Sequence, residues 1–153
     1  MDIDDASTDN SLMLLREYQK KHPKLQILQN ATNQGPVRAI NKAIAHARGG
    51  YLIFAAADDQ ILPGFFELGI AYLSEYPEAA ICCSNISVFR NEKPYKFCEI
   101  KISNEKKEVL ISADELKKKI AHTSFWIPTN ASLYRRDLVL KAIYSSCFLQ
   151  KDI

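Results

Sequence analysis

Tyr51-Leu52-Ile53-Phe54-Ala55-Ala56-Ala57-Asp58-Asp59 is a continuous apolar run that ends abruptly in two carboxylates. An apolar stretch without polar alternation predicts a strand covered on both faces, as in a parallel sheet packed between helices. Gly49-Gly50 in front of it supplies a helix stop. Pro63 behind it opens the next helix, with Phe65, Leu68, Gly69, Tyr72 and Leu73 on the inner face.

The same alternation continues in both directions. Upstream, Val37, Ile40, Ile44 and Ala47 recur at helical period after the turn Asn33-Gln34-Gly35-Pro36. Leu25 to Gln29 reads as a short strand. A helix from Ser11 to Lys21 carries Leu12, Leu15 and Tyr18 on one stripe and stops at His22-Pro23. Before it, Ile3 is followed by the polar cluster Asp4-Asp5-Ala6-Ser7-Thr8-Asp9-Asn10, which reads as a strand end and a helix cap. Downstream, Pro77 closes a helix and Ala79 to Phe89 forms a second apolar strand run. Arg90 to Pro94 is a loop, and Tyr95, Phe97, Ile100 and Ile102 alternate. Ser112-Ala113-Asp114-Glu115 is a capping box, His122 to Asn130 is irregular, Ala131 to Tyr134 is a strand and Asp137 to Tyr144 a helix. Strands alternating with helices predict an α/β domain with a mainly parallel sheet, whose ligands bind at the C-terminal strand ends. Two acidic clusters fall at such ends: Asp4-Asp5 and Asp58-Asp59.

Composition removes several classes of function. The chain has 153 residues, enough for one domain. Its 20 bases and 18 acids are interleaved to a net +2, so no basic patch argues for nucleic acid as a partner. No apolar run approaches the roughly 20 residues of a membrane span, and the acidic start Met1-Asp2-Ile3-Asp4-Asp5 does not read as a signal peptide. Cys82, Cys83, Cys98 and Cys147 contain no C-x-x-C pair, which argues against structural zinc and for reduced, mostly buried thiols in a cytosolic compartment. His22, His46 and His122 stand isolated and read as surface or loop residues.

Two carboxylates at a buried strand end repel each other unless a cation offsets them. A divalent ion such as Mg²⁺, bound by one or two carboxylates and sharing phosphate oxygens, would do so. Asp58 and Asp59 on their own read equally well as turn residues before Pro63. The turn-and-cap reading is stronger for Asp4, Asp5 and Asp9.

Three blocks in order change that balance. Ile3-Asp4-Asp5-Ala6-Ser7-Thr8-Asp9-Asn10-Ser11, then Asn33-Gln34-Gly35-Pro36-Val37-Arg38-Ala39-Ile40-Asn41, then Gly49-Gly50-Tyr51 through Asp58-Asp59 resemble the family 2 glycosyltransferases. The family's own blocks read V-D-D-G-S-T-D, N-x-G-x-x-x-A-x-N and G-x-Y-[IL]-x-F-L-D-A-D-D. Ile127-Pro128-Thr129-Asn130-Ala131-Ser132-Leu133-Tyr134-Arg135-Arg136-Asp137 is similar to the segment before the family's second half.

The resemblance implies a GT-A, Rossmann-like domain of the nucleotide-diphospho-sugar transferase type, with a mainly parallel mixed sheet flanked by helices. It implies transfer of a sugar from a nucleotide-diphosphate donor to an acceptor hydroxyl, with inversion. Asp4 would contact the base or ribose and Asp5 would shape the turn. Asn33, Gly35 and Asn41 would frame the donor pocket, with Arg38 beside them. Asp58 and Asp59 would hold Mg²⁺ or Mn²⁺ on the diphosphate, where a metal neutralises the charge of the leaving group. The acceptor would be a glycan, lipid or protein of cell-surface polysaccharide biosynthesis, and the location cytoplasmic or at the inner membrane surface.

Three departures qualify that implication. The first carboxylate of the family's D-x-D is Ala56, which predicts weaker or altered metal binding. The arginine common before the second block's last asparagine is Ile40; Arg38 points about 200° away on the helix and is no automatic substitute. Only Met1-Asp2-Ile3 precede Asp4, and the family's acidic general-base motif is not recognisable near the C-terminus, where Asp152 stands in a different context. The chain is therefore expected to be one partial domain, 1–89 nucleotide-sugar-binding and 90–153 the start of an acceptor-side part. Such a piece should have open strand edges for self-association, no assigned catalytic base and no turnover by itself. Two other classes remain: a nucleotide-binding module without transfer, and a phosphoacceptor domain using Asp4 or Asp5, for which the expected later lysine and threonine pattern is missing.

Overall fold

The computed structural model describes residues 1–90, 93–98, 109–122 and 127–145. They form two compact units, Met1–Gly49 and the chain from Gly50 onward.

In the first unit, β1 (Asp2–Asp4), α1 (Ser11–Lys21), β2 (Ile27–Gln29) and α2 (Pro36–His46) follow one another. β1 and β2 are parallel, with Ile3 opposite Leu28 and Asp4 opposite Gln29. A parallel pair needs a crossover, and α1 is that crossover. It covers the residues its periodicity predicts and ends where the His22 amide closes on the Tyr18 and Gln19 carbonyls, before Pro23. Leu12 and Leu15 are half-buried, but Tyr18 is 57% exposed, its ring against His22 at 4.2 Å. Each i+3 step advances about 300°, so a stripe of threes drifts about 60° per step and Tyr18 reaches the rim.

α2 begins at Pro36 as expected, yet its inner face differs from the predicted one. Ala39 and Ile44 are buried, whereas Val37 and Ile40 are exposed. α2 packs on β1, and its buried positions include the small residue Ala39, with Ala43 half-buried; small residues let a helix approach a strand closely. A reading ranked by hydrophobicity passes over such residues.

The second unit contains β3 (Tyr51–Leu52), α3 (Phe65–Glu75), β4 (Ile81–Cys83), β5 (Ile86–Arg90), β6 (Lys93–Cys98), α4 (Ala113–His122), a 3₁₀ turn (Thr129–Ala131), β7 (Ser132–Arg135) and α5 (Arg136–Ser145). β7 lies between β3 and β4 and is antiparallel to both, so β3 and β4 run parallel to each other. β5 and β6 form a hairpin with an irregularity between Val88 and Phe89. The architecture is α/β with mixed strand pairing. Among the described residues only β1–β2 is a directly paired parallel ladder.

Two strand expectations are shortened. Only Tyr51 and Leu52 of the Tyr51–Ala57 run pair; Ile53 and Phe54 stay half-buried, and Ala55 to Asp59 are exposed. Three alanines carry little strand preference and little apolar surface to bury. The Ala79–Phe89 run divides at Ser84-Asn85, where the Ser84 amide turns to the Ala131 carbonyl at 2.9 Å. β5 beyond that point is largely exposed, so a continuous buried strand is not formed.

The buried hydrophobic residues of this unit are Leu73 on α3, Leu133 on β7 and Ala131, and α3 packs on β7. Gly69 lets α3 come this close, because a Cβ there would stand 3.2 Å from Leu133 Cδ2. Leu68, expected inside, is 60% exposed. Ser112 caps α4 as the capping box predicts, its Oγ accepting from the Glu115 amide at 3.3 Å. Against the expectation of buried thiols, Cys82 is half-buried and Cys83 exposed, although partial desolvation still pushes both thiols above the usual range. Ile100, Ile102, Cys147 and Asp152 lie outside the described residues.

Candidate functional site

β1 ends at Asp4, whose residue is only 4% exposed. Its backbone carbonyl accepts from the Asn30 amide at 2.9 Å, and its Oδ1 accepts from the Ser7 amide at 3.3 Å. Oδ2 is buried and has no hydrogen-bond partner among the described residues. Burying a carboxylate oxygen unpaired is costly unless a donor reaches it.

Asp5, next in sequence, is fully engaged. Oδ1 accepts from Asn30 Nδ2 at 2.8 Å and the Gln34 amide at 3.0 Å, and Oδ2 accepts from the Gly35 amide at 2.8 Å. The Asn30 amide, then the Gln34 and Gly35 amides and the Lys42 charge, outweigh desolvation and hold the Asp5 carboxyl below the usual carboxylate range. Asp5 therefore ties the end of β1 to the loop before α2. Ala6 then turns the chain with φ 61°, in the left-handed region that a Cβ disfavours.

The loop itself is shaped by Gly35, with φ 83° and ψ 162°, a region essentially reserved for glycine. A Cβ there would meet nothing within 4 Å, so backbone conformation is what requires glycine. Asn33 is exposed, and its Oδ1 accepts from the Gly35 amide at 3.1 Å. The Gln34 and Gly35 amides at the head of α2 thus already face the Asp5 carboxylate, a favourable charge at a helix N-terminus. Arg38 is exposed and Asn41 half-buried on α2.

Two residues that the sequence reading passed over complete this cluster. Asn30 is 3% exposed, and Lys42 Nζ donates to Asn30 Oδ1 at 2.5 Å and to the Gln29 carbonyl at 3.0 Å. The only advance signal was an asparagine at the end of a predicted strand, which also reads as an ordinary turn residue.

In the second unit Asp58 and Asp59 line an open cleft of about 970 Å³. Pro63, Gly64 and Phe65 at the head of α3, Ser84 to Phe89, and Asn130 are among the residues that form its walls. Asp59 closes the turn: its Oδ2 accepts from the Ala56 amide at 3.2 Å, and its own amide donates to the Ala56 carbonyl at 3.1 Å. Asp58 is exposed in the cleft. Among the described residues no cluster of three or more His, Cys, Asp or Glu is placed to hold a metal ion. Two adjacent oxygen donors suit a hard cation that takes its remaining ligands from phosphate and water.

The sequence model of glycosyl transferase family 2 matches residues 3–141, nearly the whole chain. The chain belongs to glycosyl transferase family 2. An uncharacterized glycosyltransferase of Methanocaldococcus jannaschii is 26% identical over 160 aligned residues, covering 90% of this chain and 55% of the relative. The poly(ribitol-phosphate) beta-glucosyltransferase of Bacillus spizizenii is 40% identical over 60 residues, 39% of this chain and 10% of its own. The O-antigen biosynthesis protein RfbC of Myxococcus xanthus is 32% identical over 81 residues, 52% and 6% of the two chains. The chain spans about half the length of the first of these relatives and a tenth or less of the other two. For this family 2 glycosyltransferase chain, Ala6 occupies the place of the glycine in the V-D-D-G-S-T-D block, and its positive φ explains why glycine suits that place. Among the described residues no helix is long and apolar enough to cross a membrane.

Proposed function

We propose that this chain carries the donor-binding part of a glycosyltransferase that moves a sugar from a nucleotide-diphosphate donor to an acceptor hydroxyl. The observation that supports the reading most is Asp4 Oδ2, a buried acceptor without a partner among the described residues at the end of a parallel strand. Base N–H groups and ribose hydroxyls are donors of the kind it lacks. Asp5, Asn33 and Gly35 hold the adjoining loop in shape, and Asn41 and Arg38 border it from α2. On this division residues 1–89 serve the donor and 90–153 begin an acceptor-side part.

Asp58, with Asp59 fixing the turn beside it, would hold Mg²⁺ or Mn²⁺. The ion would supply positive charge to the diphosphate as it leaves. With Ala56 in place of a carboxylate, Asp58 carries the larger share of that task. The acceptor hydroxyl, its proton passing to a general base, attacks the anomeric carbon as the nucleoside diphosphate departs from the opposite face, so the configuration inverts. By likeness to relatives named for poly(ribitol-phosphate) and O-antigen, the acceptor is a cell-surface polymer or its precursor, met at the inner membrane surface.

Calorimetry with uridine and guanosine diphosphates, with and without Mn²⁺, tests the reading. Binding to one of them, abolished by Asp4→Ala and made metal-independent by Asp58→Asn, is the expected result. Unaltered binding in Asp4→Ala would overturn the placement of the nucleotide. Metal-dependent binding without sugar transfer in the full-length protein would favour the binding-module reading, which Ala56 motivates.

A further inference from the structure

Lys42 and Asn30 form a bridge in the first unit that neither the family blocks nor the proposed donor contacts include. Lysine only donates, so Lys42 Nζ at 2.5 Å fixes which end of the Asn30 amide faces it: Oδ1 toward Lys42, hence Nδ2 toward Asp5. Asp5 passes that constraint on, because its oxygens take the Gln34 and Gly35 amides. The Asn30 amide also supports the Asp4 carbonyl at 2.9 Å. The chain Lys42–Asn30–Asp5–Gly35 therefore runs from α2 back to the loop at its own head, and passes Asp4 on the way. Asn30 is almost fully buried, so its amide has little freedom to find substitutes from solvent.

We infer that Lys42, acting through Asn30, is a positioning residue that holds Asp5 and the Asn33–Gly35 loop in the conformation that receives the nucleotide diphosphate. The inference rests on the donor reading above. Replacing Lys42 leaves the buried Asn30 Oδ1 without that donor and takes away the cation near Asp5, so the Asn30 amide that donates to Asp5 is held from one side only. The loop relaxes although neither Asp4 nor Gly35 has changed.

The test uses the 153-residue chain and two variants, Lys42→Met and Asn30→Asp, the second nearly isosteric so that packing survives. Two readouts are taken: the Asp5 carboxyl titration with the Gly35 amide resonance by NMR, and uridine and guanosine diphosphate affinity with Mn²⁺ by calorimetry. Expected for Lys42→Met are an Asp5 pKa that rises toward the ordinary carboxylate value, a shifted Gly35 resonance, and affinity lowered about tenfold or more. Asn30→Asp sets a second carboxylate against Asp5 and should raise that pKa further. An unmoved Asp5 and Gly35, or unchanged affinity of the folded variant, would overturn the inference while leaving the donor reading intact. If the native chain binds neither diphosphate while Asp5 still responds to Lys42→Met, the donor reading falls and takes the donor role of Lys42 with it.

Discussion

The Arg135 guanidinium on β7 donates to the Leu73 carbonyl near the end of α3, and also to the carbonyls of Tyr76 at 3.2 Å and Ala79 at 2.8 Å. These carbonyls belong to the last turn of α3 and the segment after it, where a helix lacks partners and favours a cation. The guanidinium also lies 5.9 Å from the centre of the Tyr51 ring on β3. One side chain thus joins β3, β7 and the C-terminus of α3, while the head of α3 lines the Asp58 cleft.

Arg135→Met should destabilise the chain by about 2–4 kcal/mol, because charge-assisted bonds to partly buried carbonyls are lost together. Urea unfolding followed by circular dichroism checks the value. A loss under about 0.5 kcal/mol, ordinary for a surface change, would show that the clamp contributes little.

Gly35→Ala should cost about 1–3 kcal/mol, the range for a residue forced into a glycine-only backbone region. No atom stands in the way of the added methyl, so the loss measures conformation and not collision. Thermal unfolding of the variant is the direct measurement, and equal stability would mean that the loop changes shape freely.

Ala6→Gly should work in the opposite direction. Alanine at φ 61° is strained by roughly 1–2 kcal/mol, part of which glycine returns as unfolded-state entropy. A net gain of roughly 0.5–1 kcal/mol in urea unfolding is expected. A destabilised variant would contradict the strain.

Asp5 sets part of the acid limit of stability. Its folded-state pKa lies below the ordinary 3.8, so its contribution is complete above that value and fades as pH falls through the lowered one. Asp9, lowered by its bonds to Ser11, contributes with the same sign. Asp5→Asn should therefore flatten the acid limb of a stability–pH profile while leaving its neutral slope unchanged. An unaltered acid limb would place Asp5 outside the folded-state network.

Asp58→Asn should reduce Mn²⁺-dependent nucleotide binding far more than Asp9→Asn, with Asp59→Asn in between. Asp59 spends one oxygen on the Ala56 amide, and Asp9 Oδ1 accepts from the Ser11 amide at 2.9 Å just ahead of α1. Calorimetry in the presence of Mn²⁺ ranks the three, and equal losses would remove Asp58 from the metal site.

The sequence alone determined what local rules determine. The span of α1 follows from its stripe and from His22-Pro23, the start of α2 from Gly35-Pro36, the start of α4 from Ser112 and Glu115, and the family from three blocks in the family's order and spacing. Only the tertiary structure decided how far the strands pair, which face of α2 is inside, and which groups surround Asp5. Strand length depends on a partner from far along the chain: β7 lies between β3 and β4 and pairs with only two residues of β3. The inner face of α2 depends on how closely a helix fits a strand, which Ala39 allows and hydrophobicity does not reveal. Asn30 became visible only as a partner of Asp5, and Lys42 as a partner of Asn30, because hydrogen bonds between residues 25 and 12 positions apart leave no periodicity to read.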